Sequence, residues 1–447
     1  MAIITDNFKR RFIQKIIDDV AVGTEQFYIG IGRSQQWDSS DTPTIAKNSL
    51  REERNLRLSL QSVKKADAVG FVVPRYNWIS GSIYSPYDND QVGYPTNPYY
   101  VLTDTNTVYL CLQQGRNSTG SAVASTVKPT GVSTSAFRTD DGYVWKFVYT
   151  ISAAEANSYL SANYMPVKLV DSAGPADTAI LQEQYGIQNA AIPGQISSIT
   201  ITTGGTGYVS APTVSIIGDG DSATAFATIS SGAVVRIEMK DSAASILFKP
   251  GHSYKYAEVV FTGGSGTGAV ARVNISPAGG FGANPIIDLK STAMMFNAKP
   301  TGAENDDFII DQDFRQVAII RNPLDSADGA VNTATASALN YMILSAVSTS
   351  FTTDKTILGG ITGAKAYVDR FDSNTIYYHQ DAITGFKSFQ NAETITETNG
   401  AGAGTIGTAL NASDINKFTG EIFYVDNRAA IERSSVQTED LKVIIQL

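Results

Sequence analysis

Histidine and cysteine are almost missing from this sequence. His252, His379 and Cys111 are the whole complement in 447 residues. Most hydrolytic, redox and metal chemistry recruits these side chains, because they titrate or bind metal near neutral pH. Their scarcity points away from an enzyme and toward a structural or binding protein with no cofactor and no metal. A single cysteine excludes an internal disulfide framework and fits folding in a reducing cytoplasm. Cys111 lies in the apolar alternation Val108–Leu112 and reads as a small core residue.

Charge is also scarce. Charged residues are 17% of the chain, so the polar surface falls largely to Ser, Thr, Asn, Gln and Tyr. The net charge is −9, and non-specific nucleic-acid binding needs a basic footprint that is not here. The densest cationic stretch, Arg51–Arg57, is interleaved with Glu52 and Glu53 and reads as a solvated mixed-charge face. No apolar run approaches the ~18–20 residues of a membrane span. Asp6, Lys9 and Arg10 follow the start almost at once, so no secretory signal is expected. What is present is 43% hydrophobic residues with a mean hydropathy of −0.08. That is a globular chain long enough for two to four domains.

Thr5 or Asp6 can cap a helix running to about Val20, with Phe8, Phe12, Ile16 and Val20 as an apolar stripe beside Ile13 and Ile17. Lys9, Arg10 and Arg11 in the first turns, and Asp18 and Asp19 in the last, oppose the helix dipole, so packing must hold it. The stripe serves either its own domain or a partner. A strand is expected at Gln26–Ile31, a helix at Leu50–Lys65 and a buried strand at Asp67–Pro74. Ser80–Tyr100 is a long loop carrying Tyr84, Tyr87, Tyr94 and Tyr99. Tyrosine-dense loops are common at contact surfaces, and packing on the chain's own domain is the competing reading. Strands follow at Val101–Thr103, Val108–Gln113 and Tyr143–Ile151. The last of these alternates Tyr143, Trp145, Phe147 and Tyr149 on one face, either core or an interface anchor. Tyr84, Tyr87, Tyr94, Tyr99, Tyr143 and Trp145 are the candidate interface residues. Gly420–Val425 and Leu441–Leu447 read as two more strands, with Val443-Ile444-Ile445 buried.

From Gln195 to Ile287 the texture changes to short alternating segments between glycine clusters. An internal repeat runs here at a spacing of 46 residues, Tyr208 to Tyr254, with Gly218, Gly220, Ala223 and Ile229 matching Gly264, Gly266, Ala269 and Ile275. A fainter third copy lies 95 residues on, Gly264 to Gly359, with Gly363, Ala364 and Val368. Each copy reads as strand, glycine turn, strand, in compact β-sandwich or β-barrel units. The fold class is therefore α+β, predominantly β. The expected domains are 1–190, an inserted repeat module at 191–295, and 296–447 with a small β insertion at 352–410.

Several motifs carry no chemistry on inspection. Gly264-Ser265-Gly266-Thr267-Gly268-Ala269 fits the loose dinucleotide pattern, but a strand rather than a helix follows, so a hairpin turn is expected. Gly218-Asp219-Gly220-Asp221, Asp88-Asn89-Asp90 and Asn305-Asp306-Asp307 with Asp311 and Asp313 offer too few oxygens for a calcium cage and read as turns. His252 and His379 lie far apart, and no pair of carboxylates stands out for glycoside hydrolysis.

A set of ordered motifs resembles the baseplate wedge subunit family of T4-like contractile-tailed phages, the gene-eight product type and its cyanophage-like relatives. It begins with Phe27-Tyr28-Ile29-Gly30-Ile31-Gly32-Arg33, Trp37-Asp38 and Pro43. It continues in Val73-Pro74-Arg75-Tyr76-Asn77-Trp78, Tyr99-Tyr100-Val101-Leu102-Thr103, Lys128-Pro129-Thr130-Gly131 and Asp141-Gly142-Tyr143-Val144-Trp145-Lys146-Phe147-Val148-Tyr149. It returns in Asp313-Phe314-Arg315-Gln316-Val317, Tyr424-Val425-Asp426-Asn427-Arg428 and Gln437-Thr438-Glu439-Asp440-Leu441-Lys442. The match covers roughly 1–170 and 300–447. It implies a non-enzymatic virion protein of the tail baseplate, assembled in the host cytoplasm. The resemblance further implies a homodimer that binds other baseplate wedge proteins and helps carry the rearrangement that triggers sheath contraction. The runner-up reading is a receptor- or glycan-binding tail protein, or a glycan-degrading one, with glycan binding by the inserted module.

Overall fold

A computed structural model describes residues 2–302, 307–308, 310, 312–434 and 439–447. The chain is predominantly β, with several sheets and a closed six-stranded barrel. It divides into two compact units: Met1–Ile13, Gly70–Met294 and Gln446–Leu447 in the first, Gln14–Val69 and Met295–Ile445 in the second. Strands far apart in sequence pair with each other, so Gln14–Val69 group with Met295–Ile445.

The second unit holds an antiparallel sheet in the order Thr335–Ser337, Leu60–Lys65, Phe27–Gly32, Asp313–Arg321, Glu421–Glu432. Phe27–Gly32 is buried along its whole length, as a central strand must be. The expected helix Leu50–Lys65 stops at Ser59. Leu60–Lys65 becomes a strand because Ile29 and Gly30 offer it a ladder opposite Lys64 and Val63, and pairing outweighs local propensity. The helix Leu50–Ser59 starts at Ser49, whose side chain accepts the Glu52 N–H. Its Arg57 corrects the solvated reading of this stretch. The guanidinium is buried and donates to the carbonyls of Lys417 (2.8 Å), Thr419 (2.7 Å) and Gly420 (2.9 Å), with Glu53 as its counter-ion.

The expected insertion at 352–410 is the barrel. It runs from Asn340 to Asn411 and closes in the order Asn340–Thr349, Thr375–His379, Lys365–Asp372, Thr356–Gly359, Thr394–Thr398, Ala403–Asn411. Met342, Ile357, Ala366, Val368, Ile376 and Ile395 fill it, and all are fully buried.

The first unit contains the four-stranded sheet Tyr100–Leu102, Thr107–Gln113, Val144–Thr150, Phe137–Arg138 and, beyond it, the repeat. The two copies do not fold as separate sandwiches or barrels. Their strands exchange. Asp221 pairs His252 and Ala223 pairs Pro250, while the positions 46 residues away complete the same register, Thr267 with Thr206 and Ala269 with Gly204. The central pair obeys the same rule: Thr213 faces Thr262 and Ile216 faces Val259. The copies are thus related by a pseudo-two-fold axis and share one core, which includes Tyr208 and Tyr254. The glycine turns are corrected too. Ala257–Thr262 and Thr267–Ile275 lie in different sheets, so the Gly264 turn is a crossover rather than a hairpin. In the first copy Thr213 and Val214 still pair antiparallel with Phe226 and Ala225 across the Gly218 turn, and the third copy makes a hairpin with Ile357 opposite Ala366.

The exchange explains the repeated glycines. A Cβ on Gly266 would lie 2.3 Å from Cγ of Tyr208, and one on Gly220 would lie 2.3 Å from Cγ of Tyr254. Each tyrosine therefore lies against the glycine of the other copy. Gly220→Ala and Gly266→Ala should each destabilise the protein by about 1–3 kcal/mol through overpacking. Gly186→Ala, in the helix Ala179–Asn189 with nothing within 4 Å of the added carbon, should instead stabilise it by about 0.5–1 kcal/mol. Denaturant midpoints of the three variants check the sign.

The helix Asp6–Val22 buries only part of its stripe. Ile13 and Ile16 are buried, whereas Phe8 and Phe12 are 62% and 43% exposed. The strand Leu441–Gln446 is half-buried, not buried as expected for Val443–Ile445. Among the described residues no helix is long and apolar enough to cross a membrane.

Candidate functional site

The six candidate interface residues lie inside the first unit. Tyr84, Tyr87, Tyr99, Tyr143 and Trp145 are buried, and Tyr94 is half-buried. Trp145 stacks on Tyr143 with centroids 5.5 Å apart, and Tyr84 meets Trp145 edge-on at 5.7 Å. A second group joins Tyr87 to Tyr99 at 5.8 Å and to Phe281 at 5.1 Å. The hydroxyl of Tyr94 donates to the Val72 carbonyl. Burial pushes the phenols of Tyr84, Tyr87, Tyr94 and Tyr99 above their ordinary range and that of Tyr143 up to about 12. All of these side chains except Tyr94 are buried core within the unit. The loop Ser80–Tyr100 is irregular because its rings, rather than a ladder, fix its path. Sequence alone could not separate the two, since the same rings suit an interior and an interface.

The reactive residues are equally enclosed. Cys111 is fully buried, which pushes its thiol well above the usual range and leaves it without nucleophilic character. His252 is exposed and its Nδ1 meets Ser253 Oγ at 3.1 Å. Asp219 accepts the N–H groups of Lys255 (2.8 Å) and Tyr256 (3.2 Å), which makes it a turn lock. Asp88 pairs with Arg272 at 2.5 Å. Of the acidic run near 305, Asn305, Asp306 and Asp311 lie outside the described residues. Among the described residues, no group of three or more His, Cys, Asp or Glu is arranged to hold a metal ion.

One polar constellation stands out in the second unit, and sequence reasoning missed it. A bulge between Val368 and Arg370 adds Asp369 to its strand, where it meets His379 on the neighbouring one. Both are 0% exposed. Asp369 Oδ2 lies 2.6 Å from His379 Nδ1, and its Oδ1 accepts from Ser34 Oγ (3.2 Å) and Gln61 Nε2 (3.3 Å). Gln35 Nε2 lies 2.7 Å from His379 Nε2, so both ring nitrogens have a polar partner. Serine, histidine and aspartate are all present, but the wiring is not that of a nucleophile. The serine hydroxyl bonds to the carboxylate, and the imidazole base bonds to an amide. The network ties the barrel to Ser34 and Gln61 of the frame. Arg315 extends it, donating to Asp41 (2.8 Å) and to the Ser34 carbonyl.

The first unit also buries a carboxyl group. Asp288 is fully buried and accepts the Gly282 N–H at 2.8 Å. Burial pushes its carboxyl up to about 7, with the Gly282 N–H and Lys146 opposing. Its ordinary value is 3.8, so the folded state holds an extra proton between about 4 and 7, and stability falls as pH rises through that window. Asp288→Asn should abolish the fall, a gain over the parent of up to about 4 kcal/mol between pH 4 and pH 7.5. Denaturant midpoints at the two pH values check it, and parallel profiles would refute it.

No family model matches the chain, and no curated protein matches it.

Proposed function

We propose that this chain is a structural subunit of a contractile phage tail baseplate wedge, working through protein–protein interfaces rather than chemistry. The observation that carries the reading is how the resembling motifs assemble. Ile31 and Gly32 of the first motif face Val317 and Gln316 of a later one. Gln316 in turn faces Asn427, and Ile319 faces Tyr424, of a third. Motifs from both ends of the chain thus share one sheet through the strand Asp313–Arg321 between them, while the repeat and the barrel are built from the intervening chain. A frame common to a family, carrying variable insertions, would have this arrangement. Homodimerisation and binding to neighbouring wedge proteins are part of the proposal. Labelling the chain in intact particles should place it at the wedge periphery. A tail-fibre or capsid position would overturn the reading, and a strict monomer at micromolar concentration would remove the dimer.

A second reading, glycan binding by the 191–295 module, is favoured by one feature. A cavity of about 760 Å³ there is lined by Tyr87, Asn89, Tyr254, Lys255 and Ser276. Convergent polar groups in a concave surface suit sugars. Saturable binding on a glycan array, lost in Lys255→Ala, would support it.

A further inference from the structure

We propose that a small tetrahedral oxyanion, phosphate or sulfate, binds in the first unit, in a cavity between the repeat module and the sheet that carries Thr107–Gln113. The cavity has a volume of about 130 Å³. Arg116 and Arg236 line it together with Gln113, Ser198 and Thr200, and no carboxylate does. Water takes about 30 Å³ per molecule, so the space suits a single small ion and not a nucleotide. Gln113 and Arg116 come from the side of the aromatic sheet, and Ser198, Thr200 and Arg236 from the repeat. A bound ion therefore pins one to the other.

Positive charge exceeds negative here. Among the described residues, Glu238 is the one carboxylate within ion-pair distance of Arg138 (3.3 Å), Arg236 (3.3 Å) and Lys240 (3.0 Å). It serves three cations at once. Arg116 has no carboxylate partner among the described residues and donates to the Gly120 carbonyl at 2.6 Å. Arg138 is itself short of partners. Its side chain is 12% exposed, and its Nε and Nη2 are buried with no acceptor. Enclosed cations that outnumber their counter-ions are costly until another anion joins them.

The neutral groups around the cavity are left as donors. Arg272 can only donate, so the Asn274 side-chain oxygen faces it, at 2.8 Å. The Asn274 amide nitrogen therefore donates to Ser198 Oγ (2.9 Å) and Thr200 Oγ1 (3.0 Å). Both hydroxyls accept, and neither donates to a described residue, so both O–H protons stay free. Gln113 is fixed in the same way. Its Oε1 accepts the Met239 N–H at 3.2 Å, which leaves the amide nitrogen of this buried residue without a partner among the described residues. Arg236 donates to the Arg116 carbonyl (2.7 Å) and to Thr228 Oγ1 (3.3 Å) and keeps one N–H free on each terminal nitrogen. Free donors, positive charge and no lining carboxylate specify an oxyanion. With no carboxylate to accept a proton from the ligand, sulfate should bind as well as phosphate. The inference is independent of the wedge and glycan readings.

The test uses the full chain, with sodium phosphate or sodium sulfate titrated at constant ionic strength against sodium chloride. Calorimetry should show saturable binding of either anion, and the thermal midpoint should rise with it. Thr200→Val removes one hydroxyl donor at nearly constant shape and should weaken binding about fivefold. Arg236→Gln should weaken it about tenfold or more while the circular dichroism spectrum stays that of the parent. If Arg236→Gln does not fold, Arg116→Gln replaces it, since Arg116 is exposed. Lys128→Gln, a cation outside the cavity, should leave the affinity unchanged. Phenyl phosphate separates the sources of the ligand. Binding weaker than that of inorganic phosphate assigns the free ion, tighter binding assigns a phosphoryl group on a larger molecule, and either supports the oxyanion site. Equal stabilisation by chloride overturns the proposal, as does binding untouched by Thr200→Val and the arginine variant. An equal loss in Lys128→Gln overturns it too, because the attraction is then diffuse. None of these outcomes bears on where the chain sits in a particle, so the wedge reading is tested separately.

Discussion

Replacing His379 by leucine is expected to lower the stability of the second unit by about 3–5 kcal/mol, because it removes the hydrogen-bond partner of a carboxylate buried in the protein interior. Asp369 has 0% exposure, and Ser34 and Gln61 together supply only its Oδ1. Asp369→Leu should cost a similar amount by leaving the imidazole, Ser34 and Gln61 without an acceptor. The double variant His379→Leu, Asp369→Leu should cost clearly less than the sum, since it buries no carboxylate and no imidazole. Amide hydrogen exchange read by mass spectrometry checks this in peptides from Asn340–Asn411, whose protection should fall in each single variant and partly return in the double. Strictly additive losses would mean that the pair does not act as a unit.

Trp145→Ala should be the most damaging single change in the first unit, at about 3–5 kcal/mol, the range for truncating a fully buried aromatic ring. The ring is 0% exposed and held between Tyr143 and Tyr84. Trp145→Phe should cost less than half as much. It keeps an aromatic face for Tyr143 and removes the indole N–H, which has no partner among the described residues. Exchange in peptides spanning Thr107–Gln113 and Val144–Thr150 is the readout. If alanine and phenylalanine destabilise equally, the ring contacts are not what holds this sheet.

Much of the strand pattern could be read in advance. Phe27–Gly32, Ala68–Pro74 and Thr107–Gln113 lie within a residue or two of their expected ranges, because their apolar residues run in short blocks bounded by Gly, Pro or Asp. The 46-residue repeat was also visible. Its exchange was not, since Tyr208 with Gly266 and Tyr254 with Gly220 fit a separate pair of copies as well as an interlocked one until the register is known. Leu60–Lys65 was misread for the same reason: a stretch with mixed periodicity takes the form its partner strands offer. Arg57 carried a faint signal in Glu53, four residues before it on one helix face, but the three carbonyls it caps are about 360 residues away. The Asp369 network left no trace at all. Its members are spread from Ser34 to His379, and a bulge that cannot be read from composition aims the carboxylate inward.

Sequence by itself determined what is scarce and what repeats: two histidines, one cysteine, little charge, aromatic strands and two matched glycine segments. It therefore determined a predominantly β chain, because alternation and glycine punctuation are local properties. Only the tertiary structure decided where the scarce groups sit. It placed His379 against Asp369 and closed Tyr84, Tyr143 and Trp145 into a core rather than a contact surface. It also left Glu421–Glu432 at the side of its sheet. Burial and strand order depend on which distant segments pair, and the pairing free energy belongs to both partners at once, so neither segment records it alone.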